Sequence, residues 1–90
     1  MIDMTDERLA EVVRELIEYH GQLGMMRGQE KREWSRTFQF EFASAPNISA
    51  ASRVADSVTS EITATRYEVE GRIAALTVER DYLLFVIGSR

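Results

Sequence analysis

The single histidine, His20, follows Glu11, Glu15 and Glu18, so the first chemistry to weigh is a carboxylate–histidine metal site or an acid–base pair. The spacing opposes it. Di-iron helical bundles place a glutamate three residues before histidine so that both project inward, whereas Glu18 stands two before His20. With no cysteine and no second histidine, a zinc site of ordinary composition cannot be assembled. His20 shares a helical face with Leu16 and Leu23, which implies packing in a core or an interface. There is no Ser–His–Asp arrangement, and Gly21-Gln22-Leu23-Gly24 lacks the lysine–serine pair of a phosphate loop. The expectation is a protein that is not an enzyme and uses neither metal nor cofactor.

Arg27, Lys31, Arg32 and Arg36 interleave with Trp34, Phe38 and Phe40. Bases of this kind hold a phosphate backbone while a ring stacks on a nucleobase, so Arg27, Lys31, Arg32, Trp34 and Arg36 form a candidate nucleic-acid contact. Arg53 and Arg66 could extend it. The plainer account makes Trp34, Phe38 and Phe42 core and the bases a solvated face, partly neutralised by Glu30 and Glu33. That account is preferred, and nucleic acid is the lesser alternative.

The elements that must position these residues are long helices. Counting sevens from Ile48 gives Ala55, Ile62, Val69, Leu76 and Leu83, all apolar, with only Gly71 and no proline between Ser49 and Ile87. The companion apolar positions slip one place, to Ile73 and Ile87, as 3.6 residues per turn requires against a strict seven. The first helix has its own three-and-four spacing in Leu9, Val12, Val13, Leu16, Ile17, His20 and Leu23, with Asp3 or Thr5 as its cap. Ala43-Ser44-Ala45-Pro46-Asn47 breaks the pattern, and Asn47 or Ser49 can cap the second helix. Residues 37–42 also alternate like a strand, but a lone strand has no partner here, and helix is the favoured assignment.

The expected fold is therefore all-α: helix 1 at about 4–42, a turn at about 43–47 and helix 2 at about 48–88, forming one antiparallel hairpin domain over 1–90. Folding at Pro46 sets Leu9 opposite Leu83, Leu16 opposite Leu76, Leu23 opposite Val69, Trp34 opposite Val58 and Gly21 opposite Gly71. It also brings Glu11, Glu15 and Glu18 toward Arg72 and Arg80. Three glycines in eight residues (Gly21, Gly24, Gly28) cost a helix roughly 1 kcal/mol each relative to alanine. A close helix crossing at Gly21, Gly24 and Gly71 would compensate. Helix 2 carries a second apolar stripe, Tyr67, Val78, Tyr82 and Phe85, that one partner helix cannot reach; it predicts a homodimer, with two hairpins packed as a four-helix bundle.

Ninety residues, 44% hydrophobic and 29% charged, suit one small soluble domain. The acidic N-terminus is no signal peptide, and the run Leu83 to Ile87 is far below the roughly 20 residues of a membrane span. Absence of cysteine fits a reducing, cytoplasmic setting. A net charge of −4 argues against a general nucleic-acid coat.

Ile73, Leu76, Glu79-Arg80-Asp81 and Leu83-Leu84 in the last half of the chain resemble the C-terminal helix of small helical-hairpin proteins encoded by phages of actinobacteria and other bacteria. The resemblance implies a phage protein acting in the host cytoplasm. Some members lie beside recombination genes, which implies at most an accessory role. The secreted WXG-type hairpins are set aside, because Ser44-Ala-Pro-Asn47 stands where their Trp-x-Gly belongs. The function expected is a self-associating helical module that engages a protein partner. The alternative is an accessory protein on single-stranded nucleic acid.

Overall fold

The computed structural model describes residues 4–90; the Asp3 cap lies outside them. Those residues are all-α, with no strand among them: α1 (Met4–Ser44), α2 (Ile48–Val58) and α3 (Ser60–Gly88). Asp6 and Glu7 sit in the first turn of α1, where carboxylates favour the positive end of the helix. The helix runs unbroken through Gly21, Gly24 and Gly28 and through residues 37–42. Alternation there thus reflects Phe38 and Phe42 on one face and Phe40 on another, not a strand.

Proline cannot continue a helix without losing a hydrogen bond, and the chain turns at Pro46. Asn47 then caps α2: its backbone is extended, and its side-chain oxygen accepts from the Ala50 N–H at 3.0 Å. The expected single helix over 48–88 is divided at Thr59, whose ψ is 2°. The Thr59 hydroxyl donates to the Ala55 carbonyl at 2.9 Å, and Ser60 Oγ donates to Ser57 at 2.9 Å. Such back-bonding competes with the helical ladder and bends it, and Asp56-Ser57-Val58-Thr59-Ser60 contains no strong helix former. The backbone bonds Thr59 to Ala55 (3.1 Å) and Thr63 to Thr59 (2.9 Å) still cross the break.

The chain divides into two compact units. The first, with described residues 4–23 and 68–90, packs the start of α1 against the end of α3. Val12, Leu16 and Leu83 are its buried centre, joined by Leu9, Ile73 and Leu76. Leu9, Leu16, Leu76 and Leu83 thus share one cluster. Burying each such side chain contributes about 1.5–3 kcal/mol. Ion pairs from Arg8 to Glu79 and from Asp6 to Arg90 show that the segments run antiparallel.

The second unit, Gly24–Tyr67, is also antiparallel, with Glu30 paired to Arg66 and Trp34 bonded to Asp56. Its fully buried residues are small: Ala51, Ala55 and Thr59, spaced four apart on one face. Val58, expected opposite Trp34, is exposed, as is Ile48 at the head of the heptad line.

Candidate functional site

In the second unit, Trp34, Phe38 and Phe42 recur every fourth residue of α1, so their rings lie one above another on one face. Trp34 stacks on Phe38 with centroids 5.2 Å apart, and Phe38 on Phe42 at 5.8 Å. The Trp34 indole N–H donates to Asp56 Oδ1 at 2.8 Å. Trp34 and Phe38 are half-buried, while Phe42 and Phe40 are exposed. Beside the ladder lies an open groove of about 510 Å³, lined by Arg27, Glu30, Lys31, Trp34, Ser35, Asp56, Thr59, Thr63 and Arg66.

The structure therefore brings Arg27, Lys31 and Trp34 of the basic-aromatic cluster to one groove and adds Arg66. Arg32 and Arg36 do not line it. Arg32 folds back along its own helix instead: a Cβ on Gly28 would stand 3.2 Å from its guanidinium, so the missing side chain at Gly28 makes room for it. Within the groove Arg66 Nε donates to Glu30 at 2.8 Å, with the two side chains only 17% and 25% exposed. Its guanidinium also lies 4.7 Å over the Tyr67 ring, a cation–π contact.

The first unit holds a more solvated pair. Arg8 meets Glu79 fork to fork, Nε to Oε1 at 2.7 Å and Nη2 to Oε2 at 2.9 Å, with side chains 42% and 32% exposed. The hydrogen bonds that Arg8 donates to Glu79 and then to Glu11 push its pKa further up. Of the acids expected near Arg72 and Arg80, Glu15 shares a groove of about 740 Å³ with Arg72. Glu11 pairs with Arg8, and Arg80 pairs with its neighbour Asp81.

No family model, no curated protein and no solved structure matches the chain.

The close helix crossing expected at Gly21, Gly24 and Gly71 is not formed within the chain: a Cβ on any of them would meet no heavy atom within 4 Å. Gly21 and Gly24 fall off the Val12–Leu16–Leu23 stripe and face open space. The small residues that are buried are instead Ala51 and Ala55, ordinary alanines between Asn47 and Thr59. His20 is exposed and lies outside the buried centre. Among the described residues no cluster of three or more acids and histidines is placed to hold a metal, and no helix is long and apolar enough to cross a membrane.

The candidate interface residues stand in open solvent. Val78, Tyr82 and Phe85 of the first unit are 70%, 63% and 71% exposed, and Tyr67 of the second unit is exposed as well. Val78, Tyr82 and Phe85 recur at four-and-three spacing on the side of α3 turned away from Leu76 and Leu83.

Proposed function

We propose that the protein is a non-enzymatic, self-associating helical module that binds a protein partner. The observation that carries this is the outer face of α3, where Val78, Tyr82 and Phe85 are mostly exposed although each could bury roughly 1.5–3 kcal/mol of apolar side chain. In this reading the chain folds back at Pro46 as a helical hairpin whose second arm is divided at Thr59, and two such hairpins make a homodimeric four-helix bundle. The surface left over engages the partner, which for a phage factor would be a host protein in the cytoplasm. Sedimentation equilibrium of the wild type and of a Tyr82→Glu, Phe85→Glu double variant tests it. The wild type should dimerise in the micromolar range, and the variant, which sets four charges into a dry contact, should not. A wild type that stays monomeric at high micromolar concentration overturns self-association.

The alternative is an accessory protein on single-stranded nucleic acid, favoured by Arg27, Lys31 and Arg66 around one groove. Against it, Trp34 already gives its ring to Phe38 and its N–H to Asp56, and Glu30 and Asp56 line the same groove. Single-stranded DNA binding with a steep salt dependence would select this alternative.

A further inference from the structure

In the second unit two cross-helix bonds frame the groove beside the aromatic ladder. Trp34 donates to Asp56 toward one end, and Arg66 donates to Glu30 toward the other. Between these levels stand Lys31 on α1 and Thr59 and Thr63 on the facing segment. Thr59, at 3% exposure, is the deepest of them, while Ser35 and Thr63 are half-buried. Serine and threonine fill little volume, so the framed segments leave about 510 Å³ open, within the range of small-ligand sites.

The groove has donors to spare. Each of its carboxylates already meets one: Glu30 accepts from Arg66 at 2.8 Å, and Asp56 accepts from the Trp34 indole N–H at 2.8 Å. The Thr59 hydroxyl is spent on the Ala55 carbonyl. Among the described residues, the Lys31 ammonium and the Ser35 and Thr63 hydroxyls have no hydrogen-bond or ion-pair partner. A lysine ammonium carries three N–H donors and accepts nothing, so it calls for an acceptor.

Charge and placement narrow the ligand. Arg27, Lys31 and Arg66 line the groove against Glu30 and Asp56, which leaves it net positive within a chain of net charge −4. An anion is therefore the fitting occupant. Lys31 and Ser35 belong to α1 and Thr63 to α3, so the anion must present oxygens in more than one direction. A tetrahedral phosphate does so, whereas a planar carboxylate directs both oxygens to one side. Hydrogen bonds to such an anion are charge-assisted and roughly twice as strong as neutral ones.

We infer that this groove binds a phosphate group, free or carried on a small molecule as a monoester, with Lys31 as its charge partner and Ser35 and Thr63 as hydroxyl donors. The site shares no residue with the α3 face of the self-association reading and does not depend on it. Amide-resolved NMR of the full chain tests it, titrating with inorganic phosphate, adenosine monophosphate or acetate at constant ionic strength. Phosphate should give saturable shifts confined to the surroundings of Lys31, Ser35, Thr59 and Thr63, and acetate should bind about tenfold more weakly or not at all. Lys31→Gln should weaken phosphate binding by about tenfold or more, and Thr63→Val by roughly threefold, with helical circular dichroism unchanged. Arg32→Gln, which removes a base outside the groove, should leave the affinity within about twofold. Tighter binding of phosphate than of adenosine monophosphate assigns the free ion, and the reverse order assigns a monoester. Shifts that grow linearly without saturating, acetate bound as tightly as phosphate, or Arg32→Gln as damaging as Lys31→Gln would each overturn the site.

Discussion

The unit of residues 4–23 and 68–90 buries Val12, Leu16 and Leu83, whereas Gly24–Tyr67 buries Ala51, Ala55 and Thr59. The first gains from apolar area, in the ordinary manner of a helix seam. The second buries only small side chains, and its larger side chains make specific contacts instead: the Trp34–Asp56 bond, the stacked rings and the Glu30–Arg66 pair. Charge divides in the same way. The first unit's sequence carries ten acids against five bases, and the second carries five against six. The two ion pairs differ for the same reason. Arg8–Glu79 is well solvated and belongs to the class of surface pairs that contribute about 0–1 kcal/mol. Glu30–Arg66 is better shielded, so salt screens it less.

The contrast can be broken by substitution. Leu16→Ala in the first unit should cost about 2–5 kcal/mol, read from urea denaturation. A loss no larger than that of the exposed control Ile17→Ala would mean that large side chains do not hold this unit. Ala55→Leu in the second unit should cost about 1–3 kcal/mol, because Ala55 is 0% exposed and a larger side chain must push the helices apart. An unchanged melting temperature would show that the small seam has slack and remove the distinction between the units. Gly21→Ala should act in the opposite direction, stabilising the chain by about 1 kcal/mol through helix propensity, since the new methyl meets nothing. A fall in melting temperature there would restore the close crossing that the sequence suggests.

Much of the fold is legible in the residue pattern. Sevens from Ala55 through Ile62, Val69 and Leu76 to Leu83 find buried or half-buried positions throughout, because that spacing must track one helix face. Pro46 and Asn47 lie in the break between α1 and α2. Ile48 fails because it comes directly after the cap, where its side chain projects into solvent. The break at Thr59 is hidden from a search for proline and glycine; its signal is the run Asp56–Ser60, whose hydroxyls compete for backbone carbonyls.

The site is less legible. Gly21, Gly24 and Gly71 suggest close approach by type alone, but which neighbour shares their face depends on tertiary packing. The alanines that are buried, Ala51 and Ala55, carry no distinguishing chemistry. Arg8 with Glu79 and Glu30 with Arg66 each join residues far apart in the chain, and a register read from Pro46 alone is off by several positions for both. Of the basic-aromatic cluster that the spacing suggests, Arg27, Lys31 and Trp34 line one groove. Spacing cannot reveal that Arg32 lies along Gly28.

The aromatic ladder has an optical consequence. Trp34 is the only tryptophan, and both its stacking partner Phe38 and its hydrogen-bond acceptor Asp56 belong to Gly24–Tyr67. Its emission therefore reports the local environment of that unit, whereas far-ultraviolet circular dichroism averages over every helical residue. Recorded on one sample, the two signals track a part and the whole of the same chain without any label.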